Sequence, residues 1–261
     1  NNSASGAISI QTSTISRNTT QGSSFGGGIN NNWTGSISIA DSVVSENTAG
    51  GWGGGVNNNW TGTIGITGSE LSDNTATGWG GGINNNDDGT VTIALATITG
   101  NSAENGGGIN NNDGGTVTVT SSSISANTAT GTLGGGGILN NSLGTVTIAA
   151  TTIGENDSLA GNGGGIHNNS GGTVAVANST VSGNTATANT GVGDGGGSGG
   201  EGGGIFNNAS SGSVLLDFVT ITGNESTAGG RSLHKAQSGG PGEFSLHNSI
   251  VANPESGSNC S

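Results

Sequence analysis

Apolar residues in this chain recur on two length scales. Within short segments they alternate with polar ones, as in Thr90-Val91-Thr92-Ile93, Thr116-Val117-Thr118-Val119 and Thr145-Val146-Thr147-Ile148. That alternation places the apolar side chains on one face of a β-strand. Over longer distances, Ile29, Val56, Ile83, Ile109, Ile138 and Ile166 follow one another at spacings of 27, 27, 26, 29 and 28 residues, each after a glycine-rich approach. Gly26-Gly27-Gly28-Ile29-Asn30 returns as Gly53-Gly54-Gly55-Val56-Asn57 and Gly80-Gly81-Gly82-Ile83-Asn84, and again from Gly106 to Asn110. One structural unit is therefore copied along one axis.

Each unit holds three short β-type segments separated by Gly and Asn, and no segment is long enough for a helix. The first is the Gly-Gly-Gly-Ile-Asn element and the second is the alternating one. The third ends in asparagine, as in Val44-Ser45-Glu46-Asn47, Leu71-Ser72-Asp73-Asn74 and Ile98-Thr99-Gly100-Asn101, with nine copies from Ile15 to Asn253. Three strands per coil, each turning one or two Ile, Val or Leu inward, predict an all-β, right-handed parallel β-helix. It should have about nine coils of 26–29 residues stacked at roughly 4.8 Å, forming a single domain over residues 1–261. Two departures stand out: a Gly-rich loop at 187–202, expected to be thrown out from one turn, and a degenerate last coil at 225–261. In that coil Arg231-Ser232-Leu233-His234-Lys235 replaces the glycine element, as a charged terminal cap would.

Composition tests this reading against disorder. Glycine contributes 57 residues, proline 2, and only 28% of the chain is hydrophobic. The glycines nevertheless recur at fixed phase, where a backbone must turn or another must approach closely. Asparagines at one position of every coil predict amide ladders. One runs through Asn47, Asn74, Asn101, Asn127, Asn156, Asn184 and Asn224, and the other through Asn31, Asn58, Asn85, Asn111, Asn140, Asn168 and Asn207.

The pairing of Gly-Gly-Gly-Ile with Ile-x-x-Asn resembles bacterial surface proteins of the pectin-lyase-like β-helix superfamily. It is similar to polymorphic outer-membrane and autotransporter-type passengers, whose repeats pair Gly-Gly-Ala-Ile with Phe-x-x-Asn; here Ile, Val or Leu replaces Phe. The stretch from Phe244 to Asn253, followed by Asn259-Cys260, also resembles the last coil of such secreted repeats. The resemblance implies an extracellular, cell-surface location and a role in adhesion, coating or display. Some related folds are polysaccharide lyases or hydrolases.

Charge narrows the partners. The chain has 16 acidic and 3 basic residues, a net −13, so it lacks the basic patch that nucleic acid requires. Nothing resembles a membrane-inserting span. No cofactor or metal site is expected: a lyase would need a cation beside calcium-binding carboxylates, and none recurs near Glu46 with Asp73 or Asp87 with Asp113. Arg17, Glu46 and Asp73 read as a surface charge column. Asp87, Asp88 and Asp113 could bind calcium weakly, although the calcium repeat motif is absent. Cys260 is a lone thiol that suggests a partner outside the chain or a processing boundary.

The aromatics supply the candidate site. Trp33 and Trp60 are 27 residues apart, as are Trp52 and Trp79, with Phe25 one coil before Trp52. They should stack in two short ladders flanking the glycine strand and edging a shallow glycine track. Exposed rings at such a place fit a protein interface or a glycan platform. The resulting expectation is a non-enzymatic structural or adhesive rod that meets copies of itself, other surface proteins or glycans, and that can assemble into filaments. The alternatives are a polysaccharide-binding or polysaccharide-degrading β-helix and, from the Thr or Ser ranks at 36, 63, 90, 116, 145, 173 and 213 and at 38, 92, 118 and 147, the second interrupted by Gly65, Ala175 and Leu215, an ice-binding solenoid.

Overall fold

In the computed structural model, which describes residues 1–188, 199–208, 212–236 and 243–252, every strand pairs in parallel with its counterpart in the next coil. Four sheets run the length of the stack. The alternating segments form a nine-stranded sheet from Ala7–Gln11 to Glu243–His247, and the Ile-x-x-Asn segments form another from Thr14–Ser16 to Ile250–Val251. The glycine-led segments form an eight-stranded sheet from Ile29–Asn31 to Leu233–Lys235. Nine strands correspond to about eight full turns of a parallel β-solenoid, with no helix among the described residues.

The fourth sheet goes beyond the three strands per coil that the pattern predicts. It consists of two-residue strands, Thr48–Ala49 through Glu225–Ser226, seven in all, directly after the inward asparagine of each coil. Such pieces are too short to show a periodicity, and only stacking on the equivalent residues above and below makes them strands.

Register is held coil by coil, with Ile83 opposite Ile109 and Val56, and Thr90 opposite Thr116 and Thr63. The core is accordingly a set of columns: Ile29, Val56, Ile83 and Ile109 from one sheet, Ile64, Ile66, Val91 and Ile93 from the second, and Val44, Leu71, Ile98 and Ile124 from the third. Parallel strands that stack like on like bury each apolar residue against its own counterparts, so a thin interior suffices.

Glycine makes the narrow cross-section possible. The first glycine of each triad has positive φ, from Gly26 at 63° to Gly230 at 53°, a conformation costly for other residues. The second approaches another backbone: a Cβ at Gly107 would lie 2.5 Å from the carbonyl carbon and oxygen of Thr128. The third lies over the inward amide, a Cβ at Gly55 falling 3.1 Å from the Asn74 side chain. The degenerate last coil keeps the essential one, Gly230, and places Leu233 opposite Ile205.

Both predicted ladders are present. Asn74 Nδ2 donates to Asn101 Oδ1 at 2.9 Å and Asn101 Nδ2 to Asn127 Oδ1 at 2.9 Å, and the column reaches Asn224. The second runs from Asn31 Nδ2 donating to Asn58 Oδ1 at 2.8 Å through to Asn168 and Asn207 at 3.0 Å. Both cross the insertion between Asn184 and Ile205 unbroken, since Asn184 donates to Asn224 forty positions on. Most of the predicted loop at 187–202, the part at 189–198, lies outside the described residues, as do Asn253 and Cys260.

Candidate aromatic contact surface

Each coil has corners at which a single residue adopts left-handed backbone geometry, and these corners decide which side chains reach the surface. Before the inward asparagine, Arg17, Glu46, Asp73, Gly100, Ala126, Glu155, Gly183 and Gly223 all have positive φ. One αL residue between extended ones reverses the inside-outside alternation and swings the next asparagine into the interior. At the other end of the Ile-x-x-Asn strand the same device operates at Asp41, Gly68, Leu95 and Ser121, and is followed by an inward hydroxyl or alanine. Ser42 Oγ donates to Ala40 O at 2.7 Å and accepts from Ser13 N, so a hydroxyl column closes this corner; the sequence reading passed over it.

The Asn-x-x-Gly corner after the glycine-led strand carries the first aromatic column. Gly62 packs against Asn31 Nδ2 and Asn58 Oδ1 of the inner ladder, and Trp33 and Trp60 stand at positive φ, 78° and 61°. Their rings stack at 4.9 Å and 11°, and each residue is nearly half exposed, at 48% and 47%. The second column precedes the positive-φ glycine. Phe25 stacks on Trp52 at 4.9 Å and Trp52 on Trp79 at 5.8 Å, with Phe25 exposed and the tryptophans half-buried. All five predicted site residues thus fall into the two expected columns.

The glycine track between the columns takes a different form. Gly53, Gly54, Gly55, Gly80, Gly81 and Gly82 are buried, because the second and third face the interior. Beside Phe25 and Trp52 lies instead a shallow depression of about 370 Å³ lined by Ser23, Gly50, Gly51, Thr77, Gly78 and Glu104. Its glycines are required by close approach: a Cβ at Gly78 would lie 2.7 Å from Trp52 Cδ1.

Two further amide ladders escaped the sequence reading, although their signal was the repeated Asn-Asn-Asn. Asn57 bonds to Asn30, Asn84 to Asn57 and Asn110 to Asn84 at 2.7–2.8 Å. A second set runs through Asn86, Asn112, Asn141, Asn169 and Asn208. The first lies on the outward face, yet Asn57, Asn84 and Asn110 are buried. Further along the same column the side chain is His167, whose Nδ1 donates to Leu133 O at 2.6 Å, showing that the segment before the glycines folds back over this face. Burial pushes the His167 imidazole down to about 4, and its Nε2 has no partner.

Of the carboxylates weighed above, one is paired with a cation and two stand in neighbouring corners. Arg17 pairs with Glu46 at 2.9 Å on the surface, a hydrogen bond that holds the Glu46 carboxyl below its usual value. Asp87 and Asp113 sit at positive φ in successive Asn corners; partial burial, then Asp113, raises the Asp87 carboxyl. Among the described residues no three His, Cys, Asp or Glu side chains are grouped to hold a metal ion. The fold defines the chain as a parallel β-solenoid, the architecture of the β-helix superfamily. No known protein family, characterised protein or solved structure matches it.

Proposed function

We propose that this protein is a secreted, non-enzymatic surface scaffold, a rod whose early coils present two aromatic columns to a partner. The observation that carries this reading is the placement of Trp33 and Trp60, stacked and nearly half exposed at a corner whose geometry is fixed by the inner asparagine ladder. Two large rings stacked side by side in water form a larger apolar patch than singly exposed residues such as Leu95 and Phe218, and they lose solvation free energy unless something covers them. A rigid frame also spares the partner the cost of ordering a loop. The strongly acidic balance fits an extracellular surface and disfavours anionic partners.

Side-by-side association of rods through these columns is the simplest way to cover them. Sedimentation velocity over a range of concentrations tests it: the wild type should show concentration-dependent association, and Trp33→Ser with Trp60→Ser should be monomeric with an unchanged circular-dichroism spectrum. A wild type that stays monomeric at millimolar concentration, and binds no surface or extracellular material, would overturn the reading.

A further inference from the structure

The sheet of alternating segments turns one face outward, and from Ser36 to Ala177 that face is flat and neutral. Three side chains of each five-residue strand point out, as Thr90, Thr92 and Ala94 do beside the buried Val91 and Ile93. Across six successive strands none of these outward residues is charged and none is larger than threonine. The field ends at Leu215, Asp217 and Glu243 in the last two strands. Its hydroxyls are evenly placed. Register sets Ser36, Thr63, Thr90, Thr116, Thr145 and Thr173 over one another, one rank at the interstrand repeat of about 4.8 Å. Thr92, Thr118 and Thr147 form a second rank, about 6.6 Å to the side. Gly65 and Ala175, which interrupt it, are smaller than threonine and leave the plane unbroken. Among the described residues, only Thr120 of this field turns its hydroxyl back to the protein, 3.4 Å from Ile93 O. The two ranks face solvent.

We infer that this face binds ice. Tetrahedral water with O···O of about 2.8 Å has second neighbours about 4.5 Å apart, so hydroxyls about 4.8 Å apart stand in for one row of that lattice. Centred on four coils, the difference displaces no hydroxyl by more than about 0.5 Å, within the spread of hydrogen-bond lengths. Each hydroxyl both donates and accepts, and the threonine methyl beside it offers neighbouring water no competing hydrogen bond. A charged side chain would hold a hydration shell of its own, and a large one would break the plane. A face that lacks both fits a neutral, flat and periodic partner. A second copy fits less well, since it would bring another net −13 against the first. The inference goes beyond the scaffold reading and uses this sheet face, not the corner of Trp33 and Trp60.

The test is the gap between the melting and freezing points of a single ice crystal in a solution of the purified protein, with inhibition of ice recrystallisation as a second readout. The wild type should open a gap that widens with concentration and should keep the ice grains small. Thr118→Tyr, which raises a ring at the centre of the field, should lose most of both effects with an unchanged circular-dichroism spectrum. Thr147→Lys should do the same through charge, and Trp33→Ser with Trp60→Ser should retain both effects in full. No gap and no inhibition at millimolar protein would overturn the inference, as would full activity in Thr118→Tyr and Thr147→Lys. If those two substitutions instead abolish association in sedimentation velocity while the wild type leaves ice untouched, the face holds a second copy and the inference fails. The scaffold reading is judged separately, by the Trp33 and Trp60 variant in the same sedimentation measurement.

Discussion

Single residues in left-handed geometry set the shape of each coil, and they do so whether or not they are glycine. Ala126 has φ of 54° at the corner where Gly100, Gly183 and Gly223 stand in other coils. An L side chain there costs about 1–2 kcal/mol, partly offset by the greater freedom glycine has in the unfolded chain. Ala126→Gly should therefore raise stability by about 0.5–1 kcal/mol in urea unfolding, whereas Gly107→Ala, which forces a Cβ onto the Thr128 carbonyl, should lower it by about 3 kcal/mol. His167 makes a pH prediction of definite sign. Its folded pKa is depressed to about 4 by burial, while the unfolded chain takes up the proton near 6.5. The stability due to the neutral ring is complete above about pH 6.5 and is lost as pH falls towards 4, a decrease on the order of 3 kcal/mol. His167→Leu should flatten that part of the unfolding midpoint against pH.

At the scale of the element, strands here are stabilised as much by what closes their ends as by their own ladders. The Asn101 side chain joins five groups: its Nδ2 donates to Leu71 O and Asn127 Oδ1, both at 2.9 Å, and to Thr99 O at 3.1 Å, and its Oδ1 accepts from Asn74 N and Asn74 Nδ2. Removing it strands a buried backbone N–H and a buried carbonyl, each costing about 1–3 kcal/mol. Asn101→Ala should thus destabilise by about 3 kcal/mol or more, and amide exchange of Asn74 N–H should speed up far more than that of residues two coils away. An equal acceleration everywhere would mean that the ladder acts globally and not on its own corner. The three-strand pattern and the inner ladders were legible because apolar alternation and Ile-x-x-Asn recur at full length. The two-residue Thr-Ala strands were not, since two residues have no period, and the outer ladder was hidden because Asn57 and Asn84 occupy positions that alternation marks as exposed.

The whole molecule behaves as a stack in which each coil contacts only its neighbours. Its insertion gives a direct check. Ala188 and Gly199 lie opposite one another in an antiparallel bridge, while the ladders connect Asn168 to Asn207 and Asn184 to Asn224 across the same coil. Deleting residues 189–198 should therefore leave the circular-dichroism spectrum intact and shift the thermal midpoint by no more than a few degrees. A loss of folding would show that the insertion helps to hold the late coils. The aromatic surface belongs to this scale too, because Phe25, Trp52 and Trp79 come from three successive coils and meet only when those coils are in register.

By itself the sequence determined the solenoid, its period and its core columns, because every repeat states the same alternation and stacking like on like is the arrangement that satisfies them all together. It also determined that Phe25, Trp52 and Trp79, and Trp33 and Trp60, stack, since equal spacing at a fixed period means equal position, whereas the stack of Phe206 on His234 enters the degenerate last coil and was not legible. Tertiary structure alone decided what those rings border. Whether the glycines beside them form an open track or lie buried depends on which backbone and amide groups of neighbouring coils they meet, as Gly54 meets Thr75 and Gly55 the Asn74 side chain. That is set by contacts between segments of different phase in neighbouring coils, which no single repeat of the pattern contains.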